Sequence, residues 1–374
     1  MKNRYISLLI LVLFLIAPFI QSDTSDESQS TMLLSVPPII SIISFYARWI
    51  IFIILLLYFL LSTNALTQYI TKYNLLFLLF YIFPLLYALF TLTDVFRYFS
   101  LAVLAFVLPI VITSQIEEEK GFLKMNNFQK IILLFIILSI VVSGTAVISG
   151  LRFQGILGNP NMYGISAVFW LALIQLCQKT KLNLILTVVI FITILLSGSR
   201  GSLVAGLVVI LFAYSQYLKK LLAGLVIITI LITVLSNYID LGFIFDRFGD
   251  ISNSAGDSGR QPIWDKAFQF INLNPFGYGM NAPLELIGTG NVHNAYIRFL
   301  LTMGYPMTII TLACFFLLLW VAVKDKMTPK PLVGFLFGYA LANYGEDFFV
   351  GVGSSMFIYV VLTIGMLSYS NLKK

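Results

Sequence analysis

Apolar windows of roughly bilayer length recur along the chain. They lie near residues 5–20, 45–62, 74–92, 97–115, 131–149, 161–178, 182–197, 203–218, 221–238, 295–323, 331–348 and 351–369. A membrane span takes about 20 apolar residues. Twelve windows fill most of a 374-residue chain and leave no soluble domain over. Charged residues are 10% of the sequence, against roughly 25% in soluble domains, so the chain cannot cover a water-facing surface. Backbone groups in lipid must be hydrogen-bonded within the protein, and no series of short alternating strands suggests a barrel. The expectation is therefore an all-α, polytopic membrane protein of about 12 transmembrane helices. It forms one transmembrane domain over 1–374, with one long external loop, 239–294, between spans nine and ten. The first window follows Lys2 and Arg4 and has the length of a signal-peptide core or a short span. No small-residue cleavage site precedes the acidic stretch Asp23–Glu27, which favours an uncleaved span. The stretch 31–44 is apolar but broken by Pro37 and Pro38, and suits the outer surface.

Lysines set the expected orientation. With a cytoplasmic N-terminus, every lysine except Lys266 falls in an inner loop or at a terminus, as the positive-inside rule asks. Both termini are then cytoplasmic. Arginines behave differently. Arg48, Arg97, Arg152, Arg200, Arg247, Arg260 and Arg298 all fall at outer ends of spans or in outer loops. Arginine's planar fork of donors matches phosphate and carboxylate in two-point contacts. Its concentration on one face points to an anionic ligand there. Simple pairing with nearby acids is the competing account for Arg97, beside Asp94, and for Arg247, beside Asp246 and Asp250.

Four polar motifs fall on that face. In Arg152-Phe-Gln-Gly-Ile-Leu-Gly-Asn159-Pro160-Asn161, Asn159 is a good N-cap and Pro160 suits a first helical turn. The resulting helix start favours an anion, although a plain turn reads equally well. Ser197-Gly-Ser199-Arg200-Gly201 is a turn between two spans, and a charge there is costly unless partnered or functional. Arg260 precedes an amphipathic helix opened by Pro262, with Ile263, Trp264, Ala267, Phe268 and Ile271 on one face. That helix ends before Asn274-Pro275-Phe276-Gly277-Tyr278-Gly279. Finally, His293-Asn294-Ala295-Tyr296 opens span ten, and Asn294 and Arg298 share a helix face. His293 is the only histidine. A lone histidine is more often a surface or satisfied core residue; its polar neighbours and the arginines make general-base work an equal reading. One histidine and two scattered cysteines, Cys177 and Cys314, do not suggest a metal site.

These motifs, in this order over residues 150–305, resemble the O-antigen ligase and Wzy-type polymerase family. The resemblance implies an all-helical, GT-C-like membrane glycosyltransferase of the bacterial cytoplasmic (inner) membrane, with its active site on the external or periplasmic face. Its donor would be an undecaprenyl-diphosphate-linked oligosaccharide, moved en bloc to an acceptor glycan with inversion and without metal or other cofactor. By motif, Arg200 and Arg260, with Arg152, would hold the diphosphate and His293 would be the general base. Asn159, Asn161, Ser199, Trp264, Asn294, Tyr296 and Arg298 would support them. The bilayer is a partner, a chain-length regulator is compatible, and no nucleic acid is implied. Polymerisation of O-antigen or capsular repeats is the favoured reading. Ligation to a lipid A core or other acceptor is the alternative, and a transporter or lipid-oligosaccharide flippase a third. Gly304-Tyr305-Pro306 departs from the family pattern, where a second glycine is common, and Pro306 is expected to kink span ten.

Overall fold

The computed structural model describes residues 2–20, 38–117, 125–148, 151–157, 159–177, 180–217, 260–351 and 354–373. Among them every regular element is helical. The main helices are α1 (Lys2–Ile16), α2 (Pro38–Leu61), α3 (Lys72–Thr91), α4 (Val95–Glu117), α5 (Met125–Ile148), α6 (Pro160–Ile174), α7 (Lys181–Leu196) and α8 (Arg200–Ala213). After residue 260 come α9 (Gln261–Leu273), α10 (Ala295–Lys324), α11 (Lys330–Ala342) and α12 (Ser355–Leu372).

Eleven of the expected windows are helices, and α9 is the expected amphipathic one. The window 221–238 lies outside the described residues, as do Arg247 with its acidic neighbours and the loop up to residue 259. Six helices, α2, α3, α4, α5, α10 and α12, are long and apolar enough to cross a membrane. α6, α7, α8 and α11 have 15, 16, 14 and 13 residues. At 1.5 Å per residue they reach only about 20–24 Å, short of a ~30 Å hydrocarbon core. The window 331–348 overran its helix: α11 stops at Ala342, and 343–351 is loop. The reason is chemical, since Glu346 and Asp347 follow Gly345, and carboxylates in lipid need partners that a helix facing lipid does not supply.

Two packing features position the loops. α8 and α11 run antiparallel in close contact. A Cβ at Gly338 would stand 2.8 Å from Ala205 Cα, and one at Gly334 3.0 Å from Val209 Cα. Small residues four apart let the backbones approach, the usual device where lipid offers no hydrophobic drive. Arg200, at the start of α8, is thereby brought level with the end of α11: a Cβ at Gly201 would lie 3.5 Å from Ala342 Cα.

The second feature is a break in α10. Gly304 has φ 69° and ψ −179° inside the helix. Pro306 has no N–H to give to Thr302, four residues back. The loop after α9 takes the vacated positions. Gly279 N donates to Thr302 O at 3.0 Å, Tyr278 N to Leu301 O at 3.1 Å, and Tyr305 N donates back to Pro275 O at 2.8 Å. The expected kink is thus a splice, in which Asn274–Gly279 replaces helical hydrogen bonds. A side chain at Gly304 would collide with the backbone of Pro275 and Phe276, and one at Gly277 (φ 85°) with that of Thr302 and Gly304. Gly304→Ala is therefore expected to reduce folded protein several-fold. Gly288→Ala, also at positive φ (85°) but in open space, should lose only about 1 kcal/mol or slightly more. Fluorescence-detected size-exclusion chromatography after graded heating compares the two. Beside the splice lies a cavity of about 440 Å³, lined by Leu86, Tyr87, Phe90, Phe276, Met303 and Met307 among others.

Candidate active site

Each motif is built locally. Asn159 caps α6, its Oδ1 accepting from Asn161 N at 2.9 Å and Met162 N at 3.2 Å, and Pro160 occupies the first turn. Asn294 caps α10 in the same way, accepting from Tyr296 N at 3.0 Å and Ile297 N at 3.1 Å. Both caps satisfy N–H groups that a helix start otherwise leaves open. Asn159 and Asn294 therefore act through helix geometry. Ser199 precedes α8, and its hydroxyl lies 2.8 Å from that of Ser202. α9 buries Ala267 and Ile271 against Val292, Ile297 and Leu301, and so lies over the first turns of α10. Trp264 Nε1 donates to Val292 O at 2.9 Å, which ties α9 to the segment carrying His293.

The four motifs meet at the loop that follows α11. Arg152 donates through Nε to Ser197 O at 2.8 Å and through Nη2 to Asn161 Oδ1 at 2.8 Å. Asn161 Nδ2 donates to Glu346 Oε1 at 3.0 Å. The same oxygen accepts from Arg260 Nη2 at 3.2 Å, while Arg260 Nη1 donates to Gly345 O at 2.6 Å. Ala295 N, directly after the His293-Asn294 pair, donates to the carbonyls of Asn343 and Glu346, both at 3.0 Å. Tyr296 donates its hydroxyl to Ala340 O at 2.6 Å. Segments from four parts of the chain thus close on residues 340–347. Arg200 opens α8 two residues beyond Gly198, against which Arg152 packs.

Neither Glu346 nor Asp347 was anticipated. Glu346 is the carboxylate that links the Arg152 and Arg260 segments. Its side chain is one-fifth exposed. Burial raises its pKa above the ordinary carboxylate range; Arg260 and then Arg152 act against that shift, and Asp347 adds to it. Asp347 is buried and accepts from Arg298 Nη1 at 2.6 Å, and Arg298 also donates to Gly290 O at 2.9 Å. Arg298 is thus a buried strut between the loops on either side, paired with a carboxylate as a buried charge requires. Arg97 pairs with Asp94 at 3.0 Å, as simple neighbour pairing supposed. Both groups are partly exposed, so that pair is worth little.

His293 is half-buried and has φ 54°, a left-handed backbone that side chains other than glycine seldom adopt. Its N–H donates to Asn291 Oδ1 at 2.8 Å. Asn291, the Trp264–Val292 bond and the Asn294 cap fix the backbone around His293 at the mouth of α10, and Ala295 N ties the next residues to the Glu346 loop. Strain of this kind persists where surrounding structure imposes it, and it clusters at functional sites.

The arrangement gathers the Arg152 and Arg260 guanidiniums around one carboxylate, next to the segment that carries His293. Among the described residues no group of three or more His, Cys, Asp or Glu side chains could hold a metal ion. Glu346→Ala is expected to lower turnover by about 10²-fold through misplacement of Arg152 and Arg260, while Glu346→Gln, which keeps the acceptor oxygen, retains more. Steady-state kinetics on both variants, with donor KM and kcat read separately, check this.

No curated protein matches the chain. Residues 185–312 match the family described as O-Antigen ligase. The matched stretch contains Arg200, Arg260 and His293, and excludes Arg152 and Glu346. That family implies glycosyl transfer, lipid-linked glycan substrates and a membrane setting. The match is a likeness to the O-antigen ligase family over residues 185–312.

Proposed function

We propose that the protein transfers an oligosaccharide en bloc from an undecaprenyl-diphosphate carrier to an acceptor hydroxyl at the external face of the bacterial cytoplasmic membrane, and that it polymerises O-antigen or capsular repeat units. The observation that carries this reading is the convergence of Arg152 and Arg260 on one carboxylate beside the helix start that follows His293.

In this reading the chemistry is an inverting displacement without metal. His293 accepts the proton of the acceptor hydroxyl, whose oxygen attacks the anomeric carbon. The bond from that carbon to the diphosphate oxygen breaks, and undecaprenyl diphosphate leaves with the electron pair. Arg200, Arg260 and Arg152 stabilise the charge that grows on the diphosphate, the role metal ions fill elsewhere. Guanidinium forks fixed by several partners suit that task. Glu346 is a positioning residue: it holds Arg260 directly and Arg152 through Asn161. The apolar cavity beside the α10 break is a suitable place for part of the donor's hydrocarbon chain.

Twelve passes are proposed, the eleven apolar helices plus 221–238, with both termini and the stretch 116–130 cytoplasmic and 239–294 external. Lysine placement supports this orientation. A cysteine at Thr289 should react with a membrane-impermeant maleimide in intact cells, and one at Asn127 should not. The reverse pattern overturns the orientation.

The functional test is a purified enzyme given undecaprenyl-diphosphate-linked repeat units. Growth of carrier-linked chains longer than one repeat, with no other acceptor present, is the result expected of a polymerase. Transfer only when lipid A core or another acceptor is supplied assigns the same site to a ligase. Movement of the lipid-linked glycan across a vesicle membrane, with no transfer, assigns the chain to transport.

A further inference from the structure

At the end of α10 away from His293, a second cavity of about 570 Å³ is lined by Lys72, Trp320, Lys324, Asp325, Lys326 and Met327, with Val321. α10 has 30 residues, so roughly 45 Å of helix separates the two regions. Asp325 is buried, and its carboxylate holds three helices together. Oδ2 accepts from Lys72 Nζ at 3.1 Å, the Tyr73 hydroxyl at 3.1 Å and Asn371 Nδ2 at 2.9 Å; Oδ1 accepts from Met327 N at 3.2 Å. That carboxylate offsets one lysine, and three lysines line the cavity, leaving a surplus of two positive charges. Lys324 and Lys326 are exposed. The Lys324 ammonium lies 4.7 Å over the ring of Trp320, which is 60% exposed. An exposed tryptophan at a helix end suits the membrane–water interface. Orientation rules explain lysines at this end. They do not require lysines from two helix ends to converge on one cavity with an aromatic ring at its rim.

We propose that this cavity binds a phosphate ester, supplied by the headgroup of an anionic phospholipid in the adjacent leaflet. Lysine ammonium groups meet phosphate oxygens as compact point charges, and basic pockets between transmembrane helices bind such headgroups. Trp320 packs on the glycerol region while Lys324 and Lys326 reach the phosphate. The site is separate from the proposed transfer chemistry and does not rest on it.

The test uses full-length protein purified in neutral detergent. Native mass spectrometry reads which lipid is retained from an equimolar mixture of phosphatidylglycerol and phosphatidylcholine, with and without inorganic phosphate. Lys324→Gln/Lys326→Gln and Lys324→Glu/Lys326→Glu are compared with the wild type. Both positions are exposed, and both variants leave the Lys72–Asp325 pair intact; an unchanged size-exclusion profile checks that they fold. The expected result is preferential retention of phosphatidylglycerol, reduced about tenfold or more by the Gln pair and abolished by the Glu pair. Displacement of the lipid by inorganic phosphate, with phosphate binding lost in the same variants, keeps the phosphate chemistry and assigns the site to soluble phosphate esters. Equal retention of both lipids by the wild type overturns the proposal. So does phosphatidylglycerol retention that neither variant changes.

Discussion

Arg260→Ala is expected to lower glycan transfer by about 10²- to 10³-fold, the usual loss when one preorganised donor to developing charge is removed. Arg200→Ala should do the same. Each residue is expected to grip phosphate oxygens, so Lys at either position should restore only part of the rate: the charge returns but the two-point geometry does not. Arg260 has a further reason to resist replacement. It donates to Gly345 O and Glu346 Oε1 at once, and a single ammonium on a flexible stem cannot span both in the same way. The assay is single-turnover transfer from lipid-linked donor, with protein abundance matched. An Arg260→Ala enzyme that transfers at the wild-type rate ends the phosphate role.

The second large effect is expected at His293. Removing a general base typically costs about 10²- to 10⁴-fold in rate. His293→Gln should show that loss while still binding lipid-linked donor, because the arginines remain. It separates two accounts. Gln can hydrogen-bond at a helix start, so a residue that only shaped the start of α10 would survive the change. Asn294 already provides that cap, which leaves the imidazole for other work. The base must be neutral to accept a proton. A near-normal rate in this variant rejects the base role.

Much of the local structure was legible because it is written in neighbouring residues. Asn159-Pro160 announces a capped helix, Pro262 opens another, and Gly304-Tyr305-Pro306 marks a break. The long-range part was not legible. Glu346 and Asp347 fall inside an apolar window, and their partners are distant in sequence: Asn161 and Arg260 lie 185 and 86 residues from Glu346, and Arg298 lies 49 residues from Asp347. One signal was available: two adjacent acids after a glycine, in a stretch otherwise without charge from Pro331 to Asn371, where an unpaired carboxylate would be expensive. The Asn274–Gly279 motif carried a different ambiguity. Its glycines suit a close approach to any backbone or ligand, and only the α10 break identifies what they approach.

Glu346 also has a place in time. Ribosomes deliver this chain from its N-terminus, so Arg152, Arg200, Arg260 and His293 are all made before the carboxylate that gathers two of those arginines. A polypeptide arrested before residue 346 carries the cationic groups without their organising anion. If the proposed transfer site is right, competence should arrive late in synthesis, once α11 has packed on α8 and delivered the loop behind it. A nascent enzyme paused after α10 would sit in the bilayer with its arginines unassembled, and released fragments of that length should be both inactive and preferred substrates for membrane proteases.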